Sequence, residues 1–314
     1  ERFARWLHAR RICWPLLDSG RLALNDDTFR QMARVHPEVA PLYELRTTLG
    51  QLHLLDLSIG PDGRNRSLLS AYGSRSGRNT PSNTRSVYGP AKFIRGLIKP
   101  EEGTALAYVD WCQQEFGIAA ALSGDPAMQE AYRSGDPYLG FAKAAGAVPP
   151  NATKQSHSRE RELFKTTTLG VQYCMTEVGL AGSLNISIPE AKNLLALHRR
   201  AFPQFWRWSD AAVDYAMLNG QIHTVYGWTL HVAADTNPRS LRNFPMQGNG
   251  AEIMRLACCL AAKRGIKICT PVHDALLAEG PSDCIEDVVA ATQAIMQEAG
   301  QIVLNGFELA SEAK

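Results

Sequence analysis

The chain has 314 residues, of which 45% are hydrophobic and 20% charged, a composition that suits a globular protein with a substantial core and excludes a disordered or fibrous one. Its longest apolar stretches, such as Ile118–Leu122 and Leu256–Ala262, fall far short of the roughly 18 residues that cross a bilayer, so no membrane span is expected. The net charge of +2 conceals a gradient: residues 1–100 hold 16 Lys and Arg against 8 Asp and Glu, residues 101–270 hold 16 against 15, and residues 271–314 hold 1 against 8.

In chain order, helical periodicity first spans Asp27–Leu55. The turn-rich stretches Gly60–Asn65 and Gly73–Asn83 then read as loops. Between Arg64 and Lys99 lie eight cations (Arg64, Arg66, Arg75, Arg78, Arg85, Lys92, Arg95, Lys99) and no acid. Such a segment can lay guanidinium groups and backbone N–H donors along a phosphate chain, or it can be a solvated loop. Ala105–Val109 is a short buried strand that ends at Asp110, and helical periodicity resumes over Gln113–Leu122. Beyond the loop Val148–Thr153, helical patterns cover Arg159–Leu184 and Glu190–Asn219. A strand-like run over Ile222–Val232 is interrupted by the turn Tyr226-Gly227, and a further helix is expected from Gly248 to Gly265. The last strand-like region, Ile266–Glu279, divides around the tight connection His273-Asp274-Ala275.

The seven cysteines, Cys13, Cys112, Cys174, Cys258, Cys259, Cys269 and Cys284, are odd in number and form no C-x-x-C pair. That pattern argues against a disulfide framework or zinc ribbon and for a reducing, cytoplasmic setting. Glu1–Arg11 is charged, so no signal peptide is expected, and a start at Glu1 is the expectation for a fragment or processed piece.

Two constellations carry chemistry. Asp110 and Asp274 both sit at the ends of apolar strands, where an unpaired carboxylate is costly to bury. If they meet, they repel unless one is protonated or a divalent cation lies between them. Hard oxygen ligands select Mg²⁺ or Mn²⁺, and a pair of such ions would activate an attacking hydroxyl and stabilise a leaving pyrophosphate. Taken singly, each Asp could equally cap a helix or turn. The second constellation is Arg161, Lys165, Leu169 and Tyr173, which recur every four residues and so form one slanting helical stripe. Its cations lie near the helix N-terminus, where the dipole and free N–H groups favour an anion such as a triphosphate, leaving Leu169 and Tyr173 to reach sugar and base. The same stripe also fits an ordinary amphipathic helix with a basic end. Gly170, inside the pattern, suggests close packing against the backbone.

Three segments, Val109-Asp110-Trp111-Cys112-Gln113-Gln114-Glu115, Arg161-x3-Lys165-x7-Tyr173 and Val272-His273-Asp274, resemble motifs A, B and C of the A-family (DNA polymerase I-like) DNA polymerases in order and spacing. Ser76-Gly77-Arg78 resembles the family's upstream T-G-R segment, and the run from Arg239 through Asn243 and Gln247 to Glu252 resembles its primer- and template-contacting stretch. The resemblance covers about Glu44 to Glu279. It implies that Asp110 and Asp274, with the Trp111 carbonyl, hold two Mg²⁺ ions, with Mn²⁺ as a possible substitute. It implies too that Arg161 and Lys165 hold the triphosphate, Lys165 also protonating the departing pyrophosphate. Tyr173 would pack near the nascent pair, Glu115 would exclude a 2′-OH, and Gln113, Leu169 and Tyr138 would complete the nucleotide site. Arg78, Arg239, Asn243 and Gln247 would read minor-groove acceptors common to every correct base pair, and His273 would touch the primer terminus.

Some positions depart from the family pattern. Ala275 stands where many members carry a second acid, Leu169 where an aromatic is usual, Cys174 where Gly follows the tyrosine, Gly117 where Arg is common, and Tyr138 in the place of a phosphate-contacting His. The implied fold is α+β: the right-hand polymerase arrangement, with an antiparallel palm sheet, a helical fingers insertion and a partial thumb. Expected boundaries are 1–50 for the thumb remnant and thumb–palm connection, 51–125 for the first part of the palm, 126–232 for the fingers and 233–314 for the second part of the palm. The implied activity is template-directed addition of deoxynucleotides to a primer 3′-OH in replication or repair, by a monomer whose partners are primer-template DNA and deoxynucleoside triphosphates. The chain shows no room for a proofreading exonuclease. A single-subunit phage-type RNA polymerase, which Glu115 argues against, and a catalytically weak primer-template-binding remnant are the competing readings.

Overall fold

Polar caps and prolines, more than apolar periodicity, decide where most of the described helices begin. The computed structural model describes residues 1–50, 59–81, 96, 98–233 and 235–314. They fall into two units, Glu1–Leu69 with Pro81–Ile98, and Ser70–Thr80 with Lys99–Lys314.

The first unit holds α1 (Arg2–Ala9), α2 (Asp26–Val35) and α3 (Ala40–Gly50), the last two joined through a 3-10 turn at Pro37–Val39. Asn25 caps α2, its side-chain oxygen accepting from the Thr28 N–H at 2.8 Å. The single helix expected over Asp27–Leu55 is broken at His36, which is extended (φ −123°, ψ 99°), because Pro37 crowds the helical conformation of the residue before it. Residues 51–55 of that expectation lie outside the described residues. Leu7, Ile12, Trp14, Phe29, Met32 and Val39 form a small core, with the Phe3 ring 4.9 Å from Trp14 and 5.5 Å from Phe29.

The second unit is built on an antiparallel sheet. Its strands are β1 (Thr104–Trp111), β4 (Ile268–Val272), β5 (Ala275–Pro281) and β6 (Ser311–Ala313), in the spatial order β4-β5-β1-β6. Between β1 and β4 the chain leaves the sheet through α4 (Gln114–Ser123), α5 (Pro126–Arg133), α6 (Pro137–Ala144), α7 (Ser158–Gln172), α8 (Glu177–Leu184), α9 (Ile188–Ala201) and α10 (Pro203–Asn219). It returns through the hairpin β2 (Gln221–His223) and β3 (Thr229–His231) and the long α11 (Pro238–Lys263). Helix α12 (Ile285–Val303) packs on β1, β5 and β6 and against α11. The antiparallel sheet with a long helical insertion matches the expected fold class. One apolar cluster runs from Val109, Trp111 and Leu276 in the sheet to Phe141, Phe164, Phe202 and Phe205 in the insertion.

Boundaries shifted where local chemistry overrode periodicity. Arg159–Leu184 is two helices, because α7 closes in a Schellman motif: Met175 N–H donates to Gly170 O (2.7 Å), Cys174 N–H to Val171 O (2.9 Å), and Cys174 takes a left-handed φ of 52°. Met175 and Leu180 lie 3.4–3.5 Å from where a Gly170 side chain would begin, so the packing there is ordinary contact that an alanine would meet without a clash. Glu190–Asn219 is also two helices, divided at Phe202-Pro203. Helix α11 begins ten residues before the expected Gly248, capped by Asn237, and carries Pro245 in its interior. There the Asn249 side-chain amide donates to the Pro245 carbonyl at 2.7 Å. Helices α5, α6 and α12 and strand β6 lie outside the expected elements.

Candidate active site

Strand β1 is central, and its register sets the site. Asp110 lies opposite Ala275 on β5 and opposite Glu312 on β6. The connection between β4 and β5 is the pair His273-Asp274, and the Asp274 carbonyl accepts from the Trp111 N–H at 3.0 Å. The two acids, far apart in sequence, are therefore neighbours. Two non-glycine residues beside them hold left-handed backbone, His273 (φ 55°) and Gln113 (φ 43°); such strain persists only where the surroundings impose it. Asp110 Oδ1 is buried and, among the described residues, has no hydrogen-bond partner. Its other oxygen is 3.6 Å from Lys314 Nζ, which is held 2.8 Å from Glu312. Burial first, and then the Asp274 charge, push the Asp110 carboxyl up to about 6; Glu312 adds to the shift and Lys314 opposes it.

An unpartnered buried carboxylate oxygen beside a second acid is a donor set that fits a hard divalent cation. Among the described residues no group of three or more His, Cys, Asp or Glu converges as a metal cage. Mg²⁺ characteristically uses one or two carboxylates and completes its shell with water and substrate phosphates, so two acids and a nearby carbonyl are sufficient.

On α7, Arg161 and Lys165 are already matched to acids. Arg161 Nε donates to Asp136 Oδ2 at 2.5 Å and Nη1 to Glu162 at 2.8 Å, while Lys165 Nζ is 3.4 Å from Glu162. The Arg161 guanidinium faces the buried Tyr138 ring at 5.5 Å, and burial, ahead of the Arg161 charge that opposes it, pushes the Tyr138 phenol up to about 12. Leu169 is exposed, and Tyr173, as the C-cap of α7 rather than part of it, presents its ring half to solvent.

Glu115, in the first turn of α4, accepts from Arg78 Nη2 at 2.8 Å, and the Tyr173 hydroxyl lies 3.4 Å from the same oxygen. Burial and then Glu115 raise the Tyr173 phenol above its ordinary range, and Asp274 adds to the shift. Beside them is a cavity of about 390 Å³ lined by Ser74–Ser76, Tyr173, Leu230, Arg239, Ser240, Asn243, Phe244 and Gln247. Asn243 Oδ1 is buried with no partner among the described residues. Apart from the exposed Leu169, the residues singled out in the sequence fall into three sets. One is Asp110, Trp111, Gln113, His273 and Asp274; the second is Tyr138, Arg161 and Lys165; the third is Arg78, Glu115 and Tyr173 with Arg239, Asn243 and Gln247.

Sequence reasoning missed Asp136, the partner of Arg161, and Asp125, which is 1% exposed and caps two helices. Asp125 accepts from Met128 N at 3.1 Å, Gln204 N at 2.9 Å and Phe205 N at 3.1 Å. Both precede proline, and Asp-Pro is a readable start signal for a helix. Glu312 and Lys314 were missed because a three-residue strand gives no periodicity.

A sequence model described as DNA polymerase family A matches residues 80–309. DNA polymerase I of Aquifex aeolicus is 26% identical over 311 residues, covering 92% of this chain and 52% of that protein. The thermostable DNA polymerase I of Thermus thermophilus is 30% identical over 221 residues, covering 66% of this chain and 26% of that protein, and DNA polymerase I of Deinococcus radiodurans is 28% identical over 222 residues, covering 67% and 23%. The chain therefore spans from about a quarter to about half of the length of these curated relatives. In three dimensions it is similar to the POL domain of Pol1 from M. smegmatis, solved in complex with DNA primer-template and dNTP, with a TM-score of 0.81 and 24% identity, covering 98% of this chain and 59% of that one.

Proposed function

The chain belongs to DNA polymerase family A, and on that premise we propose that it carries the site for template-directed transfer of deoxynucleotides to a primer 3′-OH. The observation that carries the reading is the meeting of Asp110 and Asp274 across β1 and the β4–β5 connection, with one buried carboxylate oxygen left unpartnered. Asp110, Asp274 and the Trp111 carbonyl would hold two Mg²⁺ ions, or Mn²⁺ in their place. When bound, such ions supply charge neutralisation at the attacking and leaving oxygens.

The remaining roles belong to the chain itself. Arg161 and Lys165 exchange Asp136 and Glu162 for phosphate oxygens of the incoming nucleotide, and Lys165 delivers a proton to the departing pyrophosphate. Arg161, largely buried and held by Asp136, is ordered before the anion arrives, which lowers the entropic cost of binding it. Glu115, fixed by Arg78 and Tyr173, fills the space a 2′-OH would need. Gln113, Tyr138, Leu169 and Tyr173 line the nucleotide, and His273 meets the primer terminus. The cavity side chains Arg239, Asn243 and Gln247, together with Arg78, present donors to the minor-groove acceptors shared by all correct pairs. Catalysis on this reading is mainly positioning and electrostatic stabilisation.

In domain terms, 1–50 is the thumb remnant with the thumb–palm connection, 51–125 and 233–314 form the palm and 126–232 the fingers. The partners are primer-template DNA and deoxynucleoside triphosphates, in replication or repair. Among the described residues no helix is long and apolar enough to cross a membrane, and we place the protein in the cytoplasm as a monomer. Primer extension with Mg²⁺ tests the reading. The parent should extend with deoxynucleotides in preference to ribonucleotides, and Asp110→Asn should lose on the order of a thousandfold or more of the rate with duplex binding within a few-fold. Equal rates in the two proteins would overturn it, and a parent that binds duplex without extending it would favour a binding remnant.

A further inference from the structure

The loop that carries Arg78 is held by side chains whose own positions come from elsewhere in the fold. Ser74 closes the turn, its carbonyl accepting from Gly77 N–H at 2.9 Å and its hydroxyl from Arg78 N–H at 2.9 Å. Two carbonyls of this turn are then taken from outside: Arg75 O accepts from Trp228 Nε1 at 3.1 Å, and Gly77 O from Arg255 Nη1 at 2.6 Å. The Trp228 ring stacks on Tyr72 at 4.7 Å, and the Arg255 guanidinium lies over the opposite partner of that stack, 4.1 Å from the Tyr72 centroid. Gly77 has φ +74°, and a β-carbon there would come within 3.1 Å of the Trp228 ring, so glycine avoids both a strained backbone and a tight contact with that ring.

Trp228 is itself fixed. It ends the turn of the β2–β3 hairpin, and α11 docks that turn. Asn249 Oδ1 accepts from Val225 N at 3.0 Å and Glu252 Oε2 from Tyr226 N at 3.1 Å, while Glu252 Oε1 bonds the Thr224 hydroxyl. Asn249, Glu252 and Arg255 recur at every third residue, so one face of α11 holds the hairpin with two side chains and the Arg78 loop with the third. Continuous contacts therefore run from α11 through Trp228 to Gly77 and Arg78, and from Arg78 to Glu115.

We propose that Trp228 is a positioning residue that, with Arg255, fixes the Arg78 loop so that Arg78 holds Glu115, and thereby sets the discrimination between deoxy- and ribonucleotides. The sugar-selecting part of this inference rests on the function proposed above; the loop-holding part does not. The experiment has two arms. In the protein alone, hydrogen exchange is followed in peptides covering residues 70–80 and, as a control, residues 104–111. Trp228→Ala should speed exchange over 70–80 and leave 104–111 unchanged, with Trp228→Phe, which keeps an aromatic ring against Tyr72 but loses the N–H donor and part of the ring, between parent and Trp228→Ala. Unchanged exchange over 70–80 in a folded Trp228→Ala overturns the proposal; if Trp228→Ala does not fold, the Trp228→Phe result decides in the same way.

In primer extension, the ratio of kcat/KM for deoxy- over ribonucleotides should fall about threefold to tenfold in Trp228→Ala, the worth of about one hydrogen bond. The same substitution made on Arg78→Ala should give no further fall, since its effect passes through Arg78. An equal fall in both backgrounds overturns the link to Glu115. A parent that extends no primer removes the function reading and its sugar selectivity, while the exchange arm still decides whether Trp228 holds the loop.

Discussion

Asp110 and Asp125 are carboxylates of one chain placed in opposite circumstances. Asp125 is almost wholly buried at the junction of α5 and α10 and receives three backbone N–H groups at two helix N-termini, where both hydrogen bonding and the helix dipoles favour its charge. Asp110 is half-buried in the sheet, faces a second acid, keeps one oxygen without a partner among the described residues, and has its carboxyl pushed up to about 6. The first arrangement stabilises the fold and leaves nothing to react. The second leaves an interaction unmade, at a cost in stability, which is how a site keeps affinity for something that arrives later.

Substitutions at the two acids should therefore move stability in opposite directions. Asp125→Ala strands three N–H groups in a buried junction and should cost about 3–4 kcal/mol, measured by urea unfolding; a loss under about 1 kcal/mol would remove the contrast. Asp110→Asn should instead stabilise the protein in EDTA at pH 7, by about 1–2 kcal/mol after allowing for its partial exposure. The pH dependence carries a definite sign. A carboxyl with a folded pKa near 6, against an ordinary 3.8, binds its proton more tightly when folded, so the parent loses stability as pH rises from about 4 to 6. The advantage of Asp110→Asn should be absent at pH 3.5, grow through that window and level off above it; a constant advantage at all pH values would show that repulsion is not its cause. The smallest effect concerns backbone strain beside the Tyr173 side chain. Cys174 holds φ 52° at the end of α7, and Cys174→Gly should raise stability by about 0.5–1 kcal/mol, the relief of left-handed strain less the entropy glycine adds to the unfolded chain. A melting temperature lower than the parent's would count against strain there.

Much of the site was legible because its signals are local. Asp110 follows an apolar strand, Asp274 sits in a turn between two such strands, and the four-residue spacing of Arg161, Lys165 and Leu169 is a helix face; each lies where its neighbours in sequence indicated. Tyr173 shows the limit, since it belongs to the same spacing yet stands at the cap, turned toward Glu115 by a Schellman closure that periodicity cannot register. Helices α5 and α6 carry readable Asp-Pro starts but are only eight residues each, too short for an apolar repeat to stand out. Strand β6 is shorter still, so the pairing that sets Glu312 and Lys314 beside Asp110 was out of reach.

Residues near one another in the chain thus declared most of the element types, the candidate chemistry of the two acids and the basic helix, and the family to which they belong, because caps, periods and motifs are properties of short segments. Which acid neutralises Arg161, why Arg78 grips Glu115, and that Trp228 braces the loop between them were decided only by the fold. These pairings depend on strand order and on how the helices pack, and the free energy that selects them comes from burying surfaces that no short segment possesses by itself.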